Sequence, residues 1–322
     1  MKQDVLGGID IGGTKCAVCL GRHVDDEIEV IGRRQFPTLP TPQRNIQQFM
    51  RLLEELMEAH NVASLRAIGI SCGGPLDSHR GLILSPPNLP GWDRVDILTP
   101  FRERFGVPAA VENDANACAL AEWRWGAGRG CQNMVFLTFG TGMGAGLILD
   151  GKLYSGTNDM AGEVGHVRLA PEGPVGYGKA GSFEGFCSGG GIAQLARAMA
   201  EERLRAGQPP LYCPTFDDLP HVTAQRVGEA AQQGDDLALE VWKIVARYLG
   251  QGLAILVDIL NPERIVIGSI WVRQRALLED LTLQTLRQEA LERSLSVCQI
   301  LPAGLGEHVG DLASLAVALQ LL

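Results

Sequence analysis

Residues 4–21 read DVLGGIDIGGTKCAVCLG, two apolar, β-patterned runs joined by a turn of glycine, threonine and lysine. Apolar residues flank GGTK and alternate again through CAVCL, which predicts strand, turn, strand. A second stretch, residues 134–151, MVFLTFGTGMGAGLILDG, repeats the plan: apolar strand, Gly/Thr-rich turn, a second strand LILD and a closing glycine. Glycine is the default residue at positive φ, so one such turn carries little information. Two of them on similar hairpins point further. Backbone N–H groups bared by glycine, together with threonine hydroxyls, form anion nests suited to polyphosphate. We read the pair as an internal duplication with one hairpin in each half of the chain.

Two common nucleotide motifs do not fit. A phosphate-binding P-loop needs G-x-x-x-x-G-K-[ST] leading into a helix, whereas Lys15 is followed by Cys16 on a β-patterned segment. A dinucleotide fingerprint needs G-x-G-x-x-G opening a helix, whereas Gly140, Gly142, Gly144 and Gly146 alternate and run into LILD.

The remainder of the chain alternates strands with helices, which is α/β. Gln43 to His60 carries an apolar stripe (Ile46, Phe49, Met50, Leu53, Leu56, Met57) and predicts a helix. RAIGIS, AAVE and RIVIGS predict strands, and Pro100 to Phe105, NDANACALAEWRWG, Leu277 to Leu291 and Asp311 to Leu322 predict helices. Asp235 to Leu260 is a long apolar-periodic helix stopped by Asn261-Pro262. At 322 residues the chain is long enough for two domains. The expected division is 1–116 plus 310–322 for the first and 117–309 for the second.

Composition narrows the function classes. Hydrophobic content of 46% with 20% charged residues is that of a soluble globular protein, and no apolar run is long enough to span a bilayer. The start, MKQDVLGGIDIGG, has no secretory signal pattern, so a cytoplasmic protein is expected. Eight cysteines without repeated spacing agree with reduced thiols. Cys16 and Cys19, three apart on a strand, face opposite sides and read as packing residues. A net charge of −9 with no Lys/Arg cluster argues against nucleic-acid binding.

In VENDANA, residues 111–117, Asn113 and Asp114 stand at a helix start. Both are good N-caps. If Asn113 caps the helix, Asp114 is left to act as a base, and phosphoryl transfer to an alcohol needs one group to accept the hydroxyl proton.

Paired glycine hairpins gripping one nucleotide resemble the actin, sugar kinase and heat-shock chaperone ATPase superfamily. Within it, the ordered set DIGGTK, GGPLD, NLPGW, ENDANA, LTFGTGMGAG, GEVGH, NPERIVIGS and GLGEHVGD resembles the ROK family almost end to end. The resemblance implies a two-lobed actin-like (ribonuclease H-like) α/β fold. It also implies ATP-dependent phosphorylation of a hexose or N-acylhexosamine, usually on the 6-hydroxyl, with a homodimer as the usual assembly. It assigns Asp114 as the base and Asn88, Asn113, Glu163, His166 and Glu184 as partners of sugar hydroxyls. Gly12, Gly13, Thr14, Lys15, Thr141 and Gly142 would hold ATP, with the adenine near Gly268 and residues 304–310. Asp10 would lie near the phosphates, where a carboxylate calls for a cation, and Mg²⁺ with its preference for hard oxygen ligands is expected.

Many family members bind zinc through the histidine of GE-x-GH and three cysteines that follow it. Here Val175, Tyr177 and Ser182 occupy the cysteine positions, so no zinc is expected. A contact between Tyr177 and Phe183 is one way the loop could keep its shape. Two rival readings are a sugar-responsive repressor, for which no room is expected ahead of Asp10, and a catalytically weak sugar- or nucleotide-binding regulatory protein of the same fold. An ATPase acting on another class of acceptor would have no use for the Asn113, Glu163, His166 and Glu184 set.

Overall fold

The computed structural model describes residues 4–306 and 309–322. It divides into two compact units, one of Met1–Gln132, Gly146–Ala161 and Gly304–Leu322, the other of Asn133–Ala145 and Gly162–Ala303. The first unit begins with strands β1 (Asp4–Ile11), β2 (Lys15–Val24) and β3 (Glu27–Pro37), then helix α1 (Pro42–Ala59) and β4 (Ala67–Cys72). The short strands β5 (Leu76–Asp77), β6 (Leu82–Ile83) and β7 (Val95–Asp96) follow, then α2 (Thr99–Phe105), β8 (Ala109–Asn113) and α3 (Asp114–Trp125). Next come β9 (Met134–Phe139), β10 (Met143–Leu149), β11 (Lys152–Leu153) and the small hairpin β12 (Val175–Gly176) and β13 (Lys179–Ala180). Helices α4 (Phe183–Phe186), α5 (Gly189–Arg205), α6 (Ala224–Gln232) and α7 (Asp236–Leu260) precede β14 (Arg264–Ile267). The chain closes with α8 (Ile270–Arg273), α9 (Arg275–Glu289), α10 (Glu292–Leu295), β15 (Gln299–Pro302) and α11 (Val309–Leu319).

The two five-stranded sheets have orders β3-β2-β1-β4-β8 and β11-β10-β9-β14-β15. Counted along the chain, both run third, second, first, fourth, fifth, which is the duplication expected from the two hairpins. In the first sheet β1 is antiparallel to β2 and parallel to β4, and β4 is parallel to β8. In the second, β14 is parallel to both β9 and β15.

One face of the first sheet packs Ile9, Val18, Ile68 and Ile70 against Phe49, Leu53 and Leu56 of α1 and Phe101 of α2. The other face receives α11 at backbone distance. Gly8 and Gly69 are register partners, and a Cβ on Gly69 would stand 2.0 Å from the Ser314 carbonyl and 2.3 Å from the Ala318 nitrogen. Cys16 belongs to the cluster on the α1 face, whereas Cys19 packs with Leu315 and Ala318 of α11, so the two thiols do face apart.

In the second unit α7 is capped by Asp235, whose side chain accepts from the Ala238 N–H at 2.7 Å, and it ends at Asn261 in the left-handed region (φ 45°) just before Pro262. Gly250 of α7 lets α9 approach, because a Cβ there would lie 2.6 Å from Thr285 Cβ.

The expected division at 116/117 is corrected. It would cut α3, which belongs whole to the first unit. Residues 146–161 also join the first unit, because a Cβ on Gly146 would stand 2.4 Å from the Ala115 carbonyl, so α3 seats directly on that backbone.

Gly69→Ala is expected to displace α11 and lower stability by about 1–3 kcal/mol or more, the usual cost of forced overpacking. Urea midpoints of the two proteins check this. An unchanged midpoint would mean that α11 does not rest on the strand backbone.

Candidate active site

On the first unit, the turn after β1 closes through the Gly12 N–H donating to the Lys15 carbonyl at 3.2 Å, leaving Gly13, Thr14 and Lys15 exposed. Asn88 lies against this turn: a Cβ on Gly13 would meet the Asn88 carbonyl at 2.6 Å and its Cβ at 2.8 Å. β4 runs into Gly73-Gly74, and these glycines face the start of α3, with Asn113 Nδ2 3.0 Å from a Cβ built on Gly74. Asn113 is the N-cap, accepting the Ala115 N–H at 3.0 Å. Asp114 Oδ1 accepts the same N–H at 2.8 Å, so it shares the capping rather than standing spare, and Oδ2 is the oxygen on the Gly73 side.

Burial and neighbouring charges set the electrostatics of the acids on this unit. Burial is the first cause that pushes the Asp10 carboxyl up to about 6, followed by the charges of Asp114 and Asp311, with Arg33 and Lys15 opposing. Arg33 Nε donates to Asp311 at 2.7 Å. Desolvation also raises Asp114, though its side chain remains open to solvent. Gly310 of α11 leaves room for Asp10, whose Oδ2 lies 3.1 Å from where a Cβ would be. Behind the strand end, Glu112 lines a separate cavity of about 470 Å³ with Ser78, His79 and Asp159, and burial pushes its carboxyl up to about 7.

On the second unit, the glycine spacing of GEVGH has a steric cause. A Cβ on Gly162 would stand 2.0 Å from the Ala145 carbonyl, and one on Gly165 would stand 2.1 Å from the Met143 carbonyl. The segment is thus pressed onto β10, which presents Glu163 and His166 to solvent. Glu184, on α4, reaches the second glycine loop: its Oε2 accepts the Met143 N–H at 3.0 Å and lies 2.9 Å from where a Cβ on Gly142 would be. The Glu184 carboxylate therefore orders the loop, while its Cβ lies 3.2 Å from where a Cβ on Gly165 of the GEVGH segment would be.

Val175, Tyr177 and Ser182 are not gathered around a common point. Val175 is 45% and Tyr177 73% exposed, while Ser182 is fully buried. Ser182 Oγ accepts the Gly185 N–H at 3.1 Å and donates to the Gly176 carbonyl at 3.5 Å, so it caps α4 and pins the hairpin in one position. The Gly181 carbonyl accepts from the N–H groups of Leu169 and Ala170, and Lys179 Nζ donates to the His166 carbonyl at 2.7 Å. The expected contact of Tyr177 with Phe183 does not form. Phe183 is buried against Gly252, and Tyr177 meets the His166 ring edge-on at 6.4 Å. Cys187 is buried, its thiol directed at the Val245 carbonyl. Among the described residues no group of three or more His, Cys, Asp or Glu could hold a metal ion.

Beside the second loop the unit contains a cavity of about 790 Å³. Its wall includes Gly140, Thr141, Gly189, Gly190 and Ser269. Gly268 itself packs over Phe136, and its neighbour Ser269, at φ 55°, is the one that faces the cavity. Sequence reasoning missed the start of α5: the Gly189 N–H donates to the Gly140 carbonyl at 2.8 Å, bringing a helix N-terminus, a natural anion site, to the glycine loop. The run Ser188-Gly-Gly-Gly was its signal. In the first unit, Gly304 and Leu305 donate their N–H groups to the buried Glu122 at 3.0 Å each. Glu307 and His308 of the GLGEHVGD run lie outside the described residues.

This combination of two duplicated α/β units and glycine hairpins is shared with known proteins. The sequence model of the ROK family matches residues 6–320, and the chain belongs to that family. A glucokinase of Streptomyces coelicolor is 32% identical over 263 residues, covering 81% of this chain and 80% of its own. A ROK glucokinase of Streptomyces griseus, solved with glucose and AMPPNP, superposes with a TM-score of 0.77 at 29% identity, over 99% of this chain and all of that one. A xylose repressor of Caldicellulosiruptor bescii is 29% identical over 77% of this chain and 61% of its own.

Two outcomes follow from this geometry. Chelation should leave the thermal midpoint unchanged and elemental analysis should find no stoichiometric zinc, while Ser182→Ala should cost about 1–3 kcal/mol by leaving buried groups unpaired; a chelator-induced fall in midpoint would return the loop to a metal. The folded-state value of Glu112 is raised from 4.5 to about 7, so the native protein holds the extra proton across that window and stability should fall as pH rises through it. The loss is on the order of 3 kcal/mol and should vanish in Glu112→Gln. Denaturant midpoints at both ends of the window test this, and an equal slope in the variant would remove Glu112 as the cause.

Proposed function

We infer that this ROK protein is an ATP-dependent sugar kinase that transfers the γ-phosphoryl group to a hydroxyl, at the 6-position, of a hexose or N-acylhexosamine. The observation that carries the reading is Asp114 at the open end of α3, beside Asn113 and on the same unit as the first glycine loop, with a carboxyl raised by desolvation. A raised carboxyl is a stronger base than an ordinary aspartate and is suited to accepting the hydroxyl proton as the oxygen attacks. Oδ1 is steadied by the Ala115 N–H, which leaves Oδ2 for the proton.

By the family resemblance, Asn88 and Asn113 of the first unit and Glu163, His166 and Glu184 of the second are the partners of sugar hydroxyls. By the same resemblance Gly12, Gly13, Thr14, Lys15, Thr141 and Gly142 would hold the phosphates of ATP, with Gly12 closing the first turn through its N–H bond to the Lys15 carbonyl and the α5 N-terminus adding to the second loop. Mg²⁺ fits the first unit: Asp10 is a buried acid among acids, a hard oxygen donor whose raised carboxyl a cation would relieve, and Mg²⁺ completes its shell with phosphate oxygens and water. When bound it neutralises charge on the phosphates. The same resemblance carries a homodimer in the cytoplasm into this proposal; no helix among the described residues is long and apolar enough to cross a membrane.

The alternative, a catalytically weak sugar- or nucleotide-binding regulator, is favoured by one comparison, the xylose repressor. ADP release with a panel of hexoses and N-acylhexosamines separates the two. Turnover on one sugar is expected, with Asp114→Asn retaining sugar binding and losing about 10²–10⁴ in kcat. Near-normal turnover in the variant would take the base role from Asp114, and no turnover with any sugar, alongside sugar-dependent thermal shifts, would favour the regulator.

A further inference from the structure

Thr38 stands between β3 and α1, and both its side chain and its backbone reach the first glycine turn. Its hydroxyl donates to the Gly12 carbonyl at 2.6 Å, and its N–H donates to the Thr14 carbonyl at 3.0 Å. The buried Cys16 thiol lies 3.4 Å from the same hydroxyl. Two carbonyls of the turn are thus held by one residue from the far end of β3.

The consequence for the turn follows from the geometry of the peptide bond. A trans peptide is planar, with the carbonyl of one residue and the N–H of the next pointing in opposite directions. Tying the Gly12 carbonyl to Thr38 turns the Gly13 N–H away from Thr38, and tying the Thr14 carbonyl does the same for the Lys15 N–H. Gly13 and Lys15 are both exposed. Glycine resists backbone rotation less than any other residue, so a turn containing Gly12 and Gly13 needs an outside restraint to keep its N–H groups aimed. Groups already aimed when a ligand arrives spare the cost of ordering them on binding.

Thr38 is itself fixed from α1. Asn45 of that helix is fully buried; it accepts the Leu39 N–H at 2.9 Å and donates to the carbonyls of Leu39 and Thr41 at 2.9 and 2.8 Å. Its oxygen and both amide hydrogens are thereby used, which leaves the carboxamide one orientation. Helix α1 packs on the sheet through Phe49, Leu53 and Leu56. The restraint runs from the packed helix through Asn45 and Leu39 to Thr38 and the glycine turn.

We propose that Thr38, anchored by Asn45, is a positioning residue for the phosphoryl donor, holding the first glycine turn with its N–H groups aimed at phosphate oxygens. The inference rests on the kinase reading above and deepens it, since Thr38 acts through the turn and not by touching the nucleotide.

The test compares Thr38→Val, which keeps the branched shape and the backbone N–H but removes the hydroxyl, with Thr38→Ser, which keeps the hydroxyl. Binding of AMPPNP with Mg²⁺ is measured by calorimetry without sugar, and initial rates give the KM for ATP and for sugar. Thr38→Val should weaken AMPPNP binding and raise the KM for ATP by about 2- to 10-fold, the worth of one hydrogen bond, while the KM for sugar is unchanged. Thr38→Ser should stay within about twofold of wild type in both nucleotide constants. A merely structural contact would instead lower the thermal midpoint of Thr38→Val and leave those constants alone. Unaltered AMPPNP binding in Thr38→Val, or an equal loss in Thr38→Ser, would overturn the proposal. If wild type binds AMPPNP but phosphorylates no sugar, the kinase reading fails by itself, and the calorimetric series still decides the role of Thr38. Wild type that binds no AMPPNP overturns both.

Discussion

The first unit is organised by the contact of α11 with a strip of bare backbone. Gly8 and Gly69 sit side by side on adjacent strands, and because neither carries a Cβ the helix lies on the sheet itself rather than on a layer of side chains. That close approach carries Gly310 and Asp311 to Asp10. The charges of Asp114 and Asp311 then add to burial in raising the Asp10 carboxyl, while Arg33, paired to Asp311, opposes them. Desolvated like charges raise each other's proton affinity, so the cluster is least favourable alone and most favourable beside a cation. The glycines that let α11 dock are therefore also what brings Gly310 against the buried Asp10 carboxyl.

The second unit uses the same device for a different end. Gly162 and Gly165 press GEVGH onto β10, and Gly142 leaves space for the Glu184 carboxylate. Beside the second glycine loop lies a cavity whose wall carries Arg197 and Arg273, with a helix N-terminus at one side, instead of an acidic corner. The duplicated strand order has thus been kept while the surroundings have diverged, with buried acids near the first glycine turn and a cavity beside the second. A repeat of topology does not require a repeat of function, since function resides in the loops at the strand ends.

Much of this was legible in the sequence because it is local. Both hairpins, the cap at Asn113, the stop at Asn261-Pro262 and the opposed faces of Cys16 and Cys19 follow from residues near one another in the chain. β3 was not legible: EIEVIGRRQFP is an edge strand exposed along much of its length, with charges that mask the alternation. α5 was hidden by its three opening glycines, the poorest helix formers after proline, although they are what brings its N-terminus to the loop. The division at 116/117 failed because Gly146 packs on α3, a long-range contact invisible to composition.

The loop without zinc cysteines shows how a metal's work can be divided. A structural zinc supplies on the order of 10 kcal/mol in small domains, far more than the roughly 1 kcal/mol net of each hydrogen bond around Ser182 and Gly181. Burial also fixes the loop: Phe183 lies against Gly252, and Phe186 stacks on Tyr248 at a 10° interplanar angle. Each such aromatic contributes about 1.5–3 kcal/mol when fully buried. Burial fixes the hairpin but does not hold an imidazole as coordination would. The His166 backbone is tied by Lys179, while its ring meets Tyr177 edge-on, a contact worth about 0.5–1.5 kcal/mol. An imidazole with no metal on either nitrogen keeps both for hydrogen bonding, one as donor and one as acceptor. The exposed His166 ring is therefore placed by its edge-on contact with Tyr177, while the backbone that carries it is fixed by the hairpin.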